Sequence, residues 1–416
     1  PYRGPGAGPL PDASPPGAPP SPSAQARGAP PGTPPGTPPA PTTTSGPRPR
    51  AGVAKTLRAL LAHPNIASKR WIVRQYDHEV QGNTVLKPLV GPAGDGPGDA
   101  SVIQPVPGSS RALAIGCGLA IGVGDRAVGG DAYLMALAAI DEAVRNLVCA
   151  GADPHRIAIL DNFCWPSCKK PENLASLVRA AEGCYDGAKA YRTPFVSGKD
   201  SLNNQFTTED GRTIEIPPTL LITGMGLVQD VARCVTSDAK RPGSALAVVG
   251  ATSHELGGSH LQRLHSDIAS PVPRTDLTLG PRLARAVAAL IADGLVLSAH
   301  DVSDGGLLVA VAEMLIGACA EGDEGATLGA AIDLAPAPLA GGATADDLAT
   351  AFSESPSRYI LEIAPEHLEE VHRRLVGLPF GVLGRTNDSG RLEVKSAGVD
   401  LAVSDLRDDF TRPLDW

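Results

Sequence analysis

The sequence has no long apolar run. No segment approaches the roughly 20 consecutive apolar residues that a membrane-spanning helix needs. The first residues also lack the charged-then-apolar pattern of a secretory signal. We therefore expect a cytoplasmic chain that has no membrane partner. The chain opens on Pro1 rather than Met, which indicates a fragment or a processed product.

A basic surface of the kind that binds nucleic acid is missing too. The chain has 36 Lys and Arg against 45 Asp and Glu, for a formal net charge of −9. No stretch concentrates enough Lys and Arg to neutralise a row of phosphates. We therefore expect no nucleic-acid partner.

Paired cysteines are also lacking. The seven cysteines are odd in number and mostly lie inside apolar runs, as reduced and buried thiols do. Cys164 and Cys168 are close enough in sequence to share a metal ion. No second Cys/His pair stands at zinc-finger spacing, so a structural zinc ion is not expected.

Bulky apolar residues are almost absent from residues 1–50, which consist largely of Pro, Gly, Ala, Ser and Thr. Such a segment cannot bury enough surface to offset its chain entropy, and we predict that it is disordered. The remaining chain is long enough for two domains. A polar stretch over 236–242 places their boundary, giving domains at 51–236 and 237–416.

What is present is an alternation of strand-like and helix-like segments, which predicts an α/β (α+β) fold. The strand-like segments are 85–90, 112–121, 157–160, 219–228, 244–249, 295–298, 360–363 and 380–383. The helix-like segments are 131–150, 171–190, 281–293, 307–319 and 367–375, with Asp131 as an N-cap and Gly151 as a stop.

Oxygen ligands recur near these segments. Asp99 ends a glycine-rich loop at the start of a strand, a common way to hold a metal ion beside a phosphate. Glu142 and Asn146 stand four residues apart and share a helix face. Taken alone, this pair equally fits an ordinary solvated face. Asp161 follows a short buried strand, where ligand groups lie in α/β folds.

Two further segments combine glycine with polar side chains. After the strand-like start of 192–201, Gly198 allows close approach, while Lys199 and Ser201 offer a cation and a hydroxyl to phosphate oxygens. Asp200 offers a carboxylate to a metal ion or a sugar hydroxyl. The alternative is a surface turn.

The second segment is 299–306, Ala-His-Asp-Val-Ser-Asp-Gly-Gly, which runs from a strand into an apolar helix. Asp301, Ser303 and Asp304 would meet there at a helix N-terminus, which attracts phosphate. A double N-cap is the alternative. Upstream, His78 fits a catalytic base, although a structural histidine near the turn at 82–83 is the more common case.

Five motifs occur in one order, at 74–82, 142–152, 161–163, 196–201 and 299–306. Together they resemble the carboxy-terminal half of the synthetase subunit of phosphoribosylformylglycinamidine synthase, over about residues 70–410. The resemblance implies a domain like the amino domain of aminoimidazole ribonucleotide synthetase, followed by a synthetase-like carboxy domain. It also implies an amino-terminal half as partner, related by pseudo-twofold symmetry.

The resemblance implies roles for particular residues. The magnesium ligands of a nucleotide site would be Asp99, Glu142, Asn146 and Asp301. Ser303 would lie near this ATP, Asp161 and Gly198 would contact ATP at a catalytic site shared with the other half, and Ser201 would contact the ribonucleotide. Lys199 departs from the pattern, because many relatives of the small type carry a metal-binding Asn there.

The implied activity is that of an ATP-dependent ligase in de novo purine (IMP) biosynthesis. It converts formylglycinamide ribonucleotide to formylglycinamidine ribonucleotide, using ATP, Mg²⁺ and glutamine-derived ammonia from a separate glutaminase subunit. The catalytic histidine is expected in the amino-terminal half, so no catalytic residue is assigned here. The alternatives are another enzyme of the aminoimidazole ribonucleotide synthetase superfamily, such as a small-molecule kinase, or a non-catalytic half with a structural nucleotide.

We predict that residues 1–50 are dispensable for folding, because their composition provides no core. Limited proteolysis should remove them first, and a chain beginning at Val53 should melt cooperatively at the temperature of the full chain. Loss of the cooperative transition in the shortened chain would show that the segment contributes to the fold.

Overall fold

The computed structural model describes residues 52–76, 79–320, 328–341 and 346–415. These residues form ten α-helices and seventeen β-strands, arranged around two main sheets. The predicted α/β class is therefore correct. The segment 1–50 and the candidate base His78 lie outside the described residues.

The first sheet has six strands in the order β1-β4-β5-β10-β6-β7. Only β6 and β7 pair in parallel, and β2–β3 and β8–β9 form separate two-stranded ribbons. The strands of this region are β1 Thr84–Leu86, β2 Leu89–Val90, β3 Gly96–Pro97, β4 Ser101–Ile103, β5 Ala112–Leu119, β6 Ile157–Cys164, β7 Phe195–Ser201, β8 Gln205–Thr207, β9 Thr213–Glu215 and β10 Thr219–Val228.

The second sheet has seven strands in the order β12-β14-β11-β15-β13-β16-β17. Its members are β11 Ala245–Val249, β12 Ser298–Asp301, β13 Gly329–Ile332, β14 Tyr359–Ile363, β15 Phe380–Asn387, β16 Arg391–Val394 and β17 Val399–Ala402. The helices are α1 Val53–Leu61, α2 Arg70–Arg74, α3 Ala132–Cys149, α4 Pro171–Tyr191, α5 His260–Leu264, α6 Leu279–Ala292, α7 Leu307–Gly317, α8 Asp347–Phe352, α9 Leu368–Arg374 and α10 Val403–Thr411.

Helix α3 is the centre of the first region. As predicted, Asp131 is its N-cap and accepts a hydrogen bond from the Tyr133 N–H. The helix packs against β5 and β10, and α4 packs against α3. The contact between α3 and β5 is close, because a Cβ atom on Gly118 would lie 2.1 Å from the carbonyl oxygen of Ala139. Glycine at this position therefore lets α3 lie directly on the strand.

The second sheet is covered on both faces, which is why all five residues of β11 are buried. Alternate residues enter two cores: Ala245 and Ala247 join the core of α3, α4 and α6, whereas Leu246 and Val248 join that of α1, α7, α8 and α10. The first core thus continues from one sheet to the other. Helix α1, assigned to the first domain by sequence, packs in the second core, and the predicted domain division stays a prediction.

Two strands of the first sheet extend further than the sequence predicts. Strand β6 runs through Asp161 to Cys164, although it was expected to end at residue 160. The polar residues Gly198 to Ser201 belong to strand β7 and do not form a turn. The two corrections have one cause, since the parallel pairing of β6 with β7 continues as far as Cys164 and Ser201 and provides backbone partners.

Strand β12 is displaced from its predicted position. It begins at Ser298 and continues through His300 to Asp301, whereas the sequence predicted a strand over 295–298. Antiparallel pairing with β14 places His300 opposite Ile360 and Asp301 opposite Tyr359. His300 and Asp301 are therefore held by strand geometry, and only the residues after them form the turn into α7.

The two regions are joined by the buried carboxylate of Asp141 on α3, which is 1% exposed. It accepts hydrogen bonds from the Tyr191 hydroxyl and from the backbone N–H and hydroxyl of Ser357, and it pairs with Arg145. Ser357 precedes β14, so this carboxylate connects the helices of the first sheet to the second sheet.

We predict that Asp141→Ala lowers the free energy of unfolding by about 3–5 kcal/mol, because it leaves a buried Arg without this partner. Chemical denaturation would measure the change. Glu370→Ala is the control, since Glu370 forms exposed ion pairs with Arg373 and Arg374 and its loss should change the melting temperature little. Equal stability of the two variants would contradict the proposed role of Asp141.

Candidate functional site

A cavity of about 1270 Å³ opens beside α3. Its walls come from α3, from the loop between β5 and α3, from the start of α5 and from the turn between β12 and α7. Polar residues that line it include Lys69, Glu142, Arg145, His260, Ser303, Asp304 and Glu354. Glu142 and Ser303 are thus two predicted site residues that reach this cavity.

Glu142 and Asn146 are both fixed to strand β5. The Glu142 carboxylate accepts a hydrogen bond from the Leu119 N–H at 2.8 Å, through Oε2. The Asn146 side-chain amide donates to the Cys117 carbonyl, also at 2.8 Å. The predicted shared helix face is therefore correct, and it faces the sheet rather than solvent.

Asp99 and Asp301 approach the same place from other elements. Asp301 Oδ2 lies 3.3 Å from a guanidinium nitrogen of Arg145, and Asp99 Oδ1 lies 2.6 Å from Nδ1 of His300. Ligand atoms of Asp99, His300 and Asp301 all lie within 4.8 Å of one another. All three side chains are almost completely buried.

Of the four residues predicted to bind magnesium, Asp99 and Asp301 thus lie together, and the charge of Asp301 acts on Glu142 of α3. One side-chain oxygen in each of Glu142, Asn146 and Asp301 makes no hydrogen bond with any residue that the structure describes: Oε1 of Glu142, Oδ1 of Asn146 and Oδ1 of Asp301. Carboxylate and amide oxygens are the ligands that Mg²⁺ prefers in proteins. The donor set therefore fits a hard divalent cation.

The pKa values of this group are shifted by its burial. Burial raises the pKa of Asp99 to about 6, with Asp301 and Glu313 adding to the rise and His300 opposing it. Burial, followed by the charges of Asp304 and Asp301, raises the pKa of Glu142 well above its ordinary value. Like charges held close together favour protonation, and a bound cation would relieve that repulsion.

The start of α7 is occupied by a side chain of the protein itself. Glu354 Oε1 accepts hydrogen bonds from the Gly305 N–H at 2.8 Å and from the backbone N–H and Nδ1 of His260, each at 2.9 Å. The phosphate that the sequence placed at this helix start would thus compete with Glu354. The sequence analysis missed Arg145, His260 and Glu354, because their partners are distant in the chain.

A second group lies on the parallel strands β6 and β7, outside the cavity. Asp161 pairs in register with Gly198, and a Cβ atom on Gly198 would lie 2.5 Å from Asp161 Oδ1. Glycine at this position therefore makes room for the carboxylate. Lys199 donates a hydrogen bond to the Ser201 hydroxyl. Strand β7 is the edge of its sheet and is largely exposed.

Two family models match the chain. Residues 97–228 match the N-terminal domain of the AIR synthase related proteins, and residues 241–396 match their C-terminal domain. Each match contains one of the two main sheets, apart from short strands at its ends.

Curated relatives are subunits of one enzyme. The chain is 38% identical over 330 residues to phosphoribosylformylglycinamidine synthase subunit PurL of Alkaliphilus metalliredigens, covering 79% of this chain and 40% of the relative. It is 34% identical over 360 residues to the PurL subunit of Thermococcus sibiricus, covering 86% and 45%. The chain thus spans less than half the length of these curated relatives.

Solved structures show the same fold. Thermotoga maritima PurL complexed with FGAR aligns with a TM-score of 0.60 at 20% identity, covering 84% of this chain and 53% of that one. The same PurL complexed with ATP aligns with a TM-score of 0.56 at 18% identity, covering 82% and 51%.

This chain therefore belongs to the AIR synthase related proteins and contains both of their domains. Among them, it is a homologue of the PurL subunits of phosphoribosylformylglycinamidine synthase, as its motifs predicted. That it corresponds to the carboxy-terminal half stays a prediction. Among the described residues, no helix combines the length and apolar character required to cross a membrane.

We predict that Mn²⁺ or Mg²⁺ raises the melting temperature more at pH 8 than at pH 5.5. The cation needs ionised carboxylates, and Asp99 and Glu142 take up protons as the pH falls through their raised pKa values. Differential scanning fluorimetry would measure the shift, with KCl at equal ionic strength as the control. Equal shifts at both pH values would contradict a cation site formed by these carboxylates.

Proposed function

We propose that this chain is one half of an ATP-dependent ligase that converts formylglycinamide ribonucleotide to formylglycinamidine ribonucleotide in purine biosynthesis. The observation that carries the proposal is the buried group of Asp99 and Asp301, together with Glu142, which lines the cavity and lies within the electrostatic influence of Asp301. Homology to PurL subunits supports the choice of substrate. A cytoplasmic location, expected from the sequence, is part of the same proposal.

In this proposal the four residues hold Mg²⁺, and Ser303 lies beside the phosphates of the nucleotide. The cation would neutralise the charge of the polyphosphate. Arg145 and Leu119 have supporting roles, because they fix the orientation of Asp301 and Glu142. Lys69 lines the cavity and adds a positive charge to its wall. Its ammonium group donates a hydrogen bond to the backbone carbonyl of Asn65 at 2.9 Å.

The group on β6 and β7 would form part of a catalytic site completed by the amino-terminal half. There Asp161 and Gly198 contact ATP, and Ser201 holds the ribonucleotide. The γ-phosphoryl group passes to the amide oxygen of the substrate, and ammonia then replaces the phosphate to give the amidine. The exposure of β7 supports this role, since its ligand-binding residues are open to a partner surface.

The ammonia would come from glutamine, hydrolysed by a separate glutaminase subunit. The Thermotoga maritima PurLQS structure, which has a TM-score of 0.58 with this chain, supports assembly of a PurL protein with other subunits. The catalytic histidine is expected in the amino-terminal half.

A second candidate function is a half that keeps its nucleotide as a permanent structural part. The deep burial of Asp99 and Asp301 favours it, because a ligand held by buried groups exchanges slowly. Turnover in the presence of an amino-terminal half separates the two proposals.

We predict that Asp301→Asn and Glu142→Gln weaken Mg-ATP binding by more than the roughly tenfold that indirect changes around a metal site often cost. Isothermal titration calorimetry would measure the affinity. Asp210→Asn, in the turn between β8 and β9, is the matched control and should bind like the unmodified chain. Unchanged affinity in both site variants would refute the assigned metal ligands.

We also predict that the isolated chain binds ATP but does not convert formylglycinamide ribonucleotide with ammonia, and that an added amino-terminal half restores turnover. In the restored enzyme, Ser201→Ala should raise KM for the ribonucleotide more than it lowers kcat, because the hydroxyl is proposed to hold the substrate. Turnover by the isolated chain would contradict the half-enzyme proposal. No rescue by any amino-terminal partner would favour the structural nucleotide.

A further inference from the structure

His300 lies at the centre of the buried carboxylates and uses both of its ring nitrogens. Nδ1 lies 2.6 Å from Asp99 Oδ1, and Nε2 lies 3.1 Å from Glu313 Oε2. Ionised carboxylates only accept hydrogen bonds, so each ring nitrogen donates one. The imidazole ring therefore connects a residue of α7 to the loop that precedes β4.

Glu313 is a carboxylate in an otherwise apolar helix. It is the one charged residue of α7, whose other members are apolar or glycine, and its side chain is only 14% exposed. A carboxylate placed in such surroundings is costly unless it is paired. The contact with His300 provides that pair, and it anchors the imidazole ring on the side away from Asp99.

The ring is close enough to Asp99 and Asp301 to be taken for a metal ligand. However, a ring nitrogen that donates a hydrogen bond has no lone pair for a cation. Asp99 Oδ1 is engaged by His300, and the Cys149 thiol is a second side chain in contact with this carboxylate.

We propose that His300 is a positioning residue that holds Asp99 in the orientation needed for cation binding, and that Glu313 fixes the ring in turn. The proposal rests on the metal site described above. Without the ring, the carboxylates of Asp99, Asp301 and Glu313 would repel one another, with Arg145 near Asp301 and Lys69 near Glu313 as the remaining cations, and Asp99 would turn away from them.

Two substitutions distinguish a role of His300 in orienting Asp99 from a role in merely filling space. An Asn side chain places its amide near the position of Nδ1, so His300→Asn keeps a donor for Asp99. A Gln side chain reaches the position of Nε2, so His300→Gln keeps the contact with Glu313 but leaves Asp99 free. We expect His300→Gln to weaken Mn²⁺ binding by about tenfold, as loss of a supporting contact at a metal site does. His300→Asn should stay within about threefold of the unmodified chain.

Mn²⁺ affinity would be measured by electron paramagnetic resonance on the full chain, with thermal melting to verify folding. His155→Gln, at an exposed site, is the matched control and should bind as the unmodified chain does. A folded His300→Gln variant with unchanged affinity would overturn the proposal, and so would equal losses in the Asn and Gln variants. Failure of the unmodified chain to bind Mn²⁺ would instead refute the metal site itself.

Nuclear magnetic resonance of the chain labelled with ¹⁵N-histidine gives a second readout that needs no variant. Both ring N–H signals of His300 should persist when Mg²⁺ is added, because neither nitrogen becomes a ligand. Loss of one ring proton on cation binding would show direct coordination and would overturn the positioning role. This measurement decides the question even if the Gln variant does not fold.

Discussion

The ion pairs of Arg145 are the interaction on which the rest of this structure depends. Asp141 and Asp301 are both nearly inaccessible to solvent, and Arg145 lies between them. Burying two carboxylates without a cation would cost several kcal/mol for each. Because Arg145 and Asp141 belong to α3 while Asp301 belongs to β12, neutralising these charges also joins the two sheets. The position of the candidate metal site is thus a consequence of how the regions are held together.

Helix geometry lets α3 both join the two sheets and present the candidate metal ligands. Asp141 and Arg145 stand four residues apart and contact Ser357 and Asp301 of the second region, while Glu142 and Asn146, one position later, contact β5. A rotation of α3 that moved the ligands would also break the buried ion pairs. The ligand geometry is therefore protected by the stability of the joint between the sheets.

Local patterns predicted the elements whose partners are near in sequence. The extent of α3 follows from the cap at Asp131 and the stop at Gly151, and both were visible in the sequence. The length of β7 could not be predicted from the sequence. Exposed polar residues such as Lys199 are typical of a turn, and only their pairing with β6 shows that they belong to a strand. For the candidate site, the sequence proposed Asp99 and Asp301, and their roles stay a prediction. The partners that hold these two residues, His300 and Arg145, could not be predicted because they are defined by contacts across the fold, of which the Arg145–Asp301 pair spans 156 positions.

The two candidate ligand groups differ in burial, and this difference agrees with their proposed roles. The group at Asp99 and Asp301 is enclosed between the sheets, where buried charges depend on internal partners and a bound cation would add stability. The group at Asp161 and Ser201 lies on the edge strand β7, whose backbone is paired on one side only. An open edge normally invites non-specific pairing, and polar or charged residues such as Lys199 reduce that tendency. The proposed role of Ser201 in substrate binding is consistent with a partner surface that covers this edge. Under the proposed roles, the enclosed group would bind its ligand within this chain, whereas the exposed group would need a second surface to form a complete site.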